Sequence, residues 1–96
     1  MIFAWDPKKE ATNIQKHGVS FTDAQQAFKD PHSVAVFDEA HSPRGKHELR
    51  WWLLGKVGAR IMTVRYTHRP NGVIRIIGAA FWREGVEIYE KENPPY

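Results

Sequence analysis

Cysteine is absent from all 96 residues. That excludes a disulfide framework, a thiolate nucleophile and a Cys-based zinc site. Long apolar runs are absent too, and no stretch approaches the roughly 18 residues of a membrane span. The opening segment, Met1-Ile2-Phe3-Ala4-Trp5-Asp6, lacks the basic start and long apolar stretch of a secretory leader. A soluble, cytoplasmic chain with no membrane partner is the expectation. Neither GxGxxG nor GxxxxGKS/T occurs, which argues against dinucleotide and ATP chemistry. No GxSxG elbow is present, and Ser20, Ser33 and Ser42 have no base nearby in sequence. HExxH is missing, and His17, His32, His41, His47 and His68 are scattered, with His41 and His47 alone close together. No metal site and no cofactor are expected.

What is present is packing material and charge. Hydrophobic residues make up 42% and aromatics 12%, including four Trp, which is enough for a folded core. The length fits one domain over residues 1–96. The formal net charge of +3 is unevenly spread. Residues 1–83 are strongly basic, whereas Lys91 stands among Glu84, Glu87, Glu90 and Glu92 at the end. A basic body with an acidic end fits a polyanion partner or an ordinary mixed surface.

Local punctuation predicts the elements. Ile2 to Trp5 reads as a strand. Asp6-Pro7 is a helix start and Gly18 its stop, with Ala11, Ile14 and His17 on one face. Thr22-Asp23-Ala24-Gln25 matches a capping box and opens a second short helix, whose apolar set is Ala24, Ala27 and Phe28 and which Asp30-Pro31 ends. Val34–Phe37 is a strand, followed by a polar loop from Asp38 to Lys46 with Pro43 and Gly45. Strands follow over Glu48–Lys56, Ile61–Thr67 and Val73–Ala79, with a reversal at Pro70-Asn71-Gly72. Phe81 to Glu92 reads as a closing helix weakened by Gly85. The order β-α-α-β-β-β-β-α implies an α+β fold: a small, mostly antiparallel sheet with two N-terminal helices and one C-terminal helix.

Alternation along the strands places charge among apolar residues. Thr63, Arg65 and Thr67 share one face and Met62, Val64 and Tyr66 the other. Arg75 interrupts a Val/Ile run, and Arg50 shares a face with Glu48, Trp52 and Leu54. Guanidinium groups in such surroundings need an anion or a wet opening. Arg, Lys, His and Glu together can cleave RNA without a metal, because RNA supplies its own nucleophile in the 2′-hydroxyl. The same groups can also hold a nucleic acid without cutting it.

The ordered landmarks extend over nearly the whole chain. They are Phe3-x-Trp5-Asp6-Pro7-x-Lys9, Asn13, Lys16-His17-Gly18-Val19-Ser20-Phe21, Phe28-x-Asp30-Pro31, Glu48-Leu49-Arg50-Trp51 through Gly55, Tyr66-Thr67-x-Arg69 and Ile74-Arg75-Ile76-Ile77. This pattern resembles the BrnT family of toxins. The resemblance implies a RelE-like fold and an RNA-cleaving type II toxin that inhibits translation. It also implies a partner: a DNA-binding BrnA-like antitoxin that neutralises the toxin and carries the complex to operator DNA. Carried over by position, His17, Glu48, Arg50, Arg69 and Arg75 are the implied catalytic set, with Lys9 and Arg83 as substrate-binding cations. Arg50, Arg69 and Arg75 would contact phosphates, and His17 or Glu48 would be the base. Plain alternatives stand beside these roles: a helix-terminal His17, a Glu48–Arg50 ion pair, a turn-flanking Arg69. One departure from the family pattern is clear. Many members read Ser-Ala-Arg-Arg-Ala after the Ile77 position, where this chain has Gly78-Ala79-Ala80-Phe81-Trp82, leaving Arg83 as the nearby substitute. A catalytically degenerate toxin that binds antitoxin as a co-repressor is therefore the rival reading, and a plain RNA-binding domain the third.

Overall fold

A computed structural model describes residues 1–42 and 48–95. Pro43, Gly45 and His47, singled out above, lie outside the described residues. The elements are β1 (Ile2–Ala4), α1 (Pro7–His17), α2 (Phe21–Ala24), β2 (Val34–Phe37), β3 (Arg50–Val57), β4 (Arg60–Arg69), β5 (Val73–Ala80) and α3 (Arg83–Glu92). The expected order is observed.

Asp6 accepts the Lys8 N–H at 2.9 Å and Pro7 opens α1. Gly18 closes it with φ 68°, a conformation open to glycine at no steric cost, and donates its N–H to the Ile14 carbonyl. The second helix starts earlier than its sequence suggests. Ser20, not Thr22, is the cap, accepting the Asp23 N–H at 3.0 Å. One turn later the chain tightens into a 3-10 segment over Gln25–Lys29. Ala24 and Ala27 are fully buried as expected.

The inward face of α1 also differs from the Ala11–Ile14–His17 reading. Ile14 is 46% exposed, while Asn13 is buried. The cause lies in the sheet, whose strand order is β1-β5-β4-β3-β2. β1 pairs in parallel with β5 only from Val73 to Arg75, and every other pairing is antiparallel. Beyond Arg75 the edge of β5 presents backbone polar groups to α1, and an amide side chain meets them. Asn13 Nδ2 donates to the carbonyls of Ala79 (2.8 Å) and Val19 (2.9 Å), and its Oδ1 accepts the Ala79 N–H at 3.1 Å.

The two faces of the sheet have different covers. Leu53, Met62, Val64, Tyr66, Ile74 and Ile76 form a core with Val19, Phe21, Ala24 and Ala27 from the helical segment. Each large side chain buried there contributes about 1.5–3 kcal/mol. On the other face, α3 covers one end, where Gly85 lies against Thr63 and Leu54. The rest of that face carries the arginines Arg50, Arg65 and Arg75.

Candidate active site

Register decides which arginines meet. Arg50 pairs with Thr67, and Thr67 with Arg75, so the two guanidinium side chains share one row two strands apart. Strand spacing puts their Cα atoms about 10 Å from each other. In the next row Trp52 pairs with Arg65, and Arg65 with Gly78. A bulge at Arg65/Tyr66 leaves Ile77 as the extra residue on β5. The Nε atoms of both Arg50 and Arg65 are buried, with no hydrogen-bond partner among the described residues. A buried guanidinium nitrogen without an acceptor is a donor waiting for an anion.

Two depressions adjoin this floor, and Arg65 and Trp82 line both. The first, about 340 Å3, is walled by α1 through Lys8, Lys9, Lys16 and His17. The second contains His41, Trp52 and Glu84. Trp82 immediately precedes α3; its ring stands edge-on to His17 (centroids 5.9 Å) and tilted against Trp52 (6.0 Å). Half-buried aromatic faces of this kind can stack bases.

Asp38 anchors the second depression. It is 7% exposed, and its carboxylate accepts from Trp52 Nε1 at 2.8 Å and from His41 Nδ1 at 2.9 Å. Burial pushes its pKa up, but the hydrogen bonds from His41 and Trp52 outweigh that and hold it below the usual carboxyl value. The side chain of His41 is 52% exposed.

The structure thus unites part of the expected set. Arg50 and Arg75 share a row, and Lys9 and His17 stand on the α1 wall of the depression that Arg65 lines one row away. Glu48 and Arg69 pair with each other at 3.7 Å, both about two-fifths exposed, one row beyond Arg50. An ion pair so exposed is worth at most about 1 kcal/mol. Arg83 is elsewhere, lining a separate hollow with Arg60 and Lys56. Arg65, Trp52, Trp82 and the Asp38–His41 pair escaped the sequence reading. Alternation alone placed Arg65 on the right face, but its neighbours depend on register. Among the described residues, no three His, Asp or Glu side chains gather as a metal site.

The sequence profile described as "Ribonuclease toxin, BrnT, of type II toxin-antitoxin system" matches residues 5–84. The chain belongs to the BrnT family. It is accordingly placed among the ribonuclease toxins of type II toxin–antitoxin systems. The BrnT match takes in α1, all three arginine-bearing strands and Trp82, so the cleft lies inside the shared region. A crystal structure of the Brucella abortus ribonuclease toxin BrnT superposes with a TM-score of 0.59 at 24% identity. The match covers 83% of this chain and 95% of that one. At that identity the likeness speaks for the BrnT fold alone. No curated protein matches the sequence significantly.

Proposed function

We propose that the chain is a metal-independent endoribonuclease that cuts single-stranded RNA in the open cleft and so inhibits translation. The observation that carries this reading is the pair of buried guanidinium nitrogens on Arg50 and Arg65, unpartnered among the described residues and in adjacent rows of one face. Arg65 grips the scissile phosphate, and Arg50 and Arg75 hold a flanking one. Each offers paired donors that stay charged at any working pH. Glu48 is engaged with Arg69, so His17 is the better base for the 2′-hydroxyl. Lys9 adds positive potential on the α1 wall. Arg69 extends the cationic track, and Arg83 lies outside it. Trp52 and Trp82 offer stacking faces to the bases. A BrnA-like antitoxin, which takes the complex to operator DNA, covers this face when it neutralises the toxin.

The purified chain is expected to cut RNA in the presence of EDTA and to leave a 2′-deoxy analogue intact. Arg65→Ala should slow cutting by about a hundredfold or more with an unchanged thermal midpoint. Equal cutting by Arg65→Ala would remove the assignment, and loss of cutting in EDTA would remove metal independence. No cutting at all, together with tight antitoxin binding, would favour the degenerate co-repressor.

A further inference from the structure

Strand cleavage needs two proton transfers, and the assignment above supplies one. When the 2′-oxygen attacks phosphorus, its proton goes to His17. As the bond from phosphorus to the 5′-oxygen breaks, the departing oxygen needs a proton in turn. Arginine does not give one up near neutrality. We propose that His41 is the general acid of this cleavage and that Asp38 is its positioning residue. The inference rests on the ribonuclease reading and adds a group that the family pattern did not supply.

Geometry carries the assignment. Asp38 Oδ1 and Oδ2 lie 3.0 and 2.9 Å from His41 Nδ1, which fixes that nitrogen as the donor to the carboxylate, and Nε2 has no partner among the described residues. Asp38 itself cannot swing away, because Trp52 Nε1 holds Oδ2 and the backbone N–H of His41 reaches Oδ1. His41 lines its depression together with Arg65 and Trp82, the two residues that also line the His17 depression.

β4, which carries Arg65, is flanked by β5 and β3. α1 packs over β5 and brings His17, whereas His41 follows β2 on the β3 side. The proposal seats a phosphate on Arg65, with one imidazole contributed from each side. In-line displacement needs that arrangement, since the entering and departing oxygens lie opposite each other across phosphorus. Position orders the two roles. Among the described residues, Asp38 on its own turn, Trp52 on β3, Arg65 on β4 and Glu84 on α3 surround His41, and the Asp38 carboxylate orients its ring. His17 stands on the α1 wall with Lys8, Lys9 and Lys16 and has the acceptor role. In the balanced step the 2′-oxygen bonds to phosphorus and its proton passes to His17. The bond to the 5′-oxygen breaks, and the proton on His41 Nε2 passes to that oxygen. The products are a 2′,3′-cyclic phosphate and a 5′-hydroxyl.

The test compares ordinary RNA with RNA carrying sulfur in place of the bridging 5′-oxygen, since a thiolate departs without protonation. The unaltered chain should cut both. His41→Ala should cut the oxygen substrate about a hundredfold more slowly or worse, yet cut the sulfur substrate at the unaltered rate. His41→Gln should repeat that pattern. His17→Ala should be slow on both. Asp38→Asn should lower kcat on the oxygen substrate without changing KM, with the sulfur substrate again insensitive. Full activity of His41→Ala on the oxygen substrate, or equal impairment on both, would overturn the assignment while leaving the ribonuclease intact. Failure of the unaltered chain to cut either substrate would overturn both readings.

Discussion

Asn13 uses its whole amide on backbone. Two donor hydrogens go to the Val19 and Ala79 carbonyls, and the oxygen takes the Ala79 N–H. Asn13→Ala would orphan three buried backbone groups, two at the edge of β5 and the Val19 carbonyl between α1 and α2. The expected loss is about 3 kcal/mol, read as a lower urea midpoint at unchanged slope. The same residue stands in the family pattern, where a sequence shows only a polar position on a short helix. Its purpose becomes visible once β1 is seen to stop at its pairing with Arg75. Arg65 makes a parallel case. Its face was legible from alternation, but its burial beside Trp82 and Gly78 was not.

Between elements, the 3-10 segment lies directly on β3. A Cβ at Gly55 would run into the backbone carbonyl of Ala27, which has no freedom to move aside. Gly55→Ala is expected to cost about 3 kcal/mol, measured by chemical denaturation. Gly78 is the contrast, since its Cβ would meet only Asn13 Oδ1 at 3.7 Å and Arg65 Cδ at 4.0 Å. Gly78→Ala should leave stability within about 0.5 kcal/mol. Gly85 lowers the intrinsic helicity of α3, yet it lets the helix lie against the sheet, where a side chain would strike Thr63. The helix also begins at Arg83 rather than Phe81, which frees Phe81 for the core and a stack with Arg60, and Trp82 for the cleft.

Across the whole molecule, two hydrogen-bonded carboxylates, half-buried Asp30 and buried Asp38, tie separate elements together and set the pH range of stability. Asp30 accepts from Tyr89 Oη of α3 at 2.6 Å, the Lys56 N–H of β3 at 2.8 Å and the His32 N–H at 2.8 Å. Burial raises its pKa, but these bonds, Tyr89 first, outweigh burial, and it lies below the ordinary 3.8, as does Asp38. A carboxyl depressed on folding stabilises fully above its unfolded value and loses that contribution as pH falls towards the folded one. Stability should therefore drop below about pH 4, and Asp30→Asn should flatten that limb. Tyr89 has the opposite sign: burial, then the Asp30 hydrogen bond and charge, push it up to about 12 from 10.0. Its contribution is complete below pH 10 and fades as pH rises towards 12. Denaturation midpoints followed from pH 2 to 12 check both limbs.

Much of this architecture is written locally. The cap at Asp6-Pro7, the stop at Gly18, the turn at Asn71-Gly72 and the period-two strands each act through a few neighbouring atoms, so their residues name them directly. The family could likewise be read from landmarks in order along the chain. The partners of each strand could not. Register brings Arg50, Arg65 and Arg75 onto adjoining rows, and the short reach of β1 hands the β5 edge to Asn13. The packing of α1 and of the turn after β2 then sets His17 and His41 on opposite flanks of β4. Those arrangements arise from contacts between residues far apart in the chain, which no local pattern encodes.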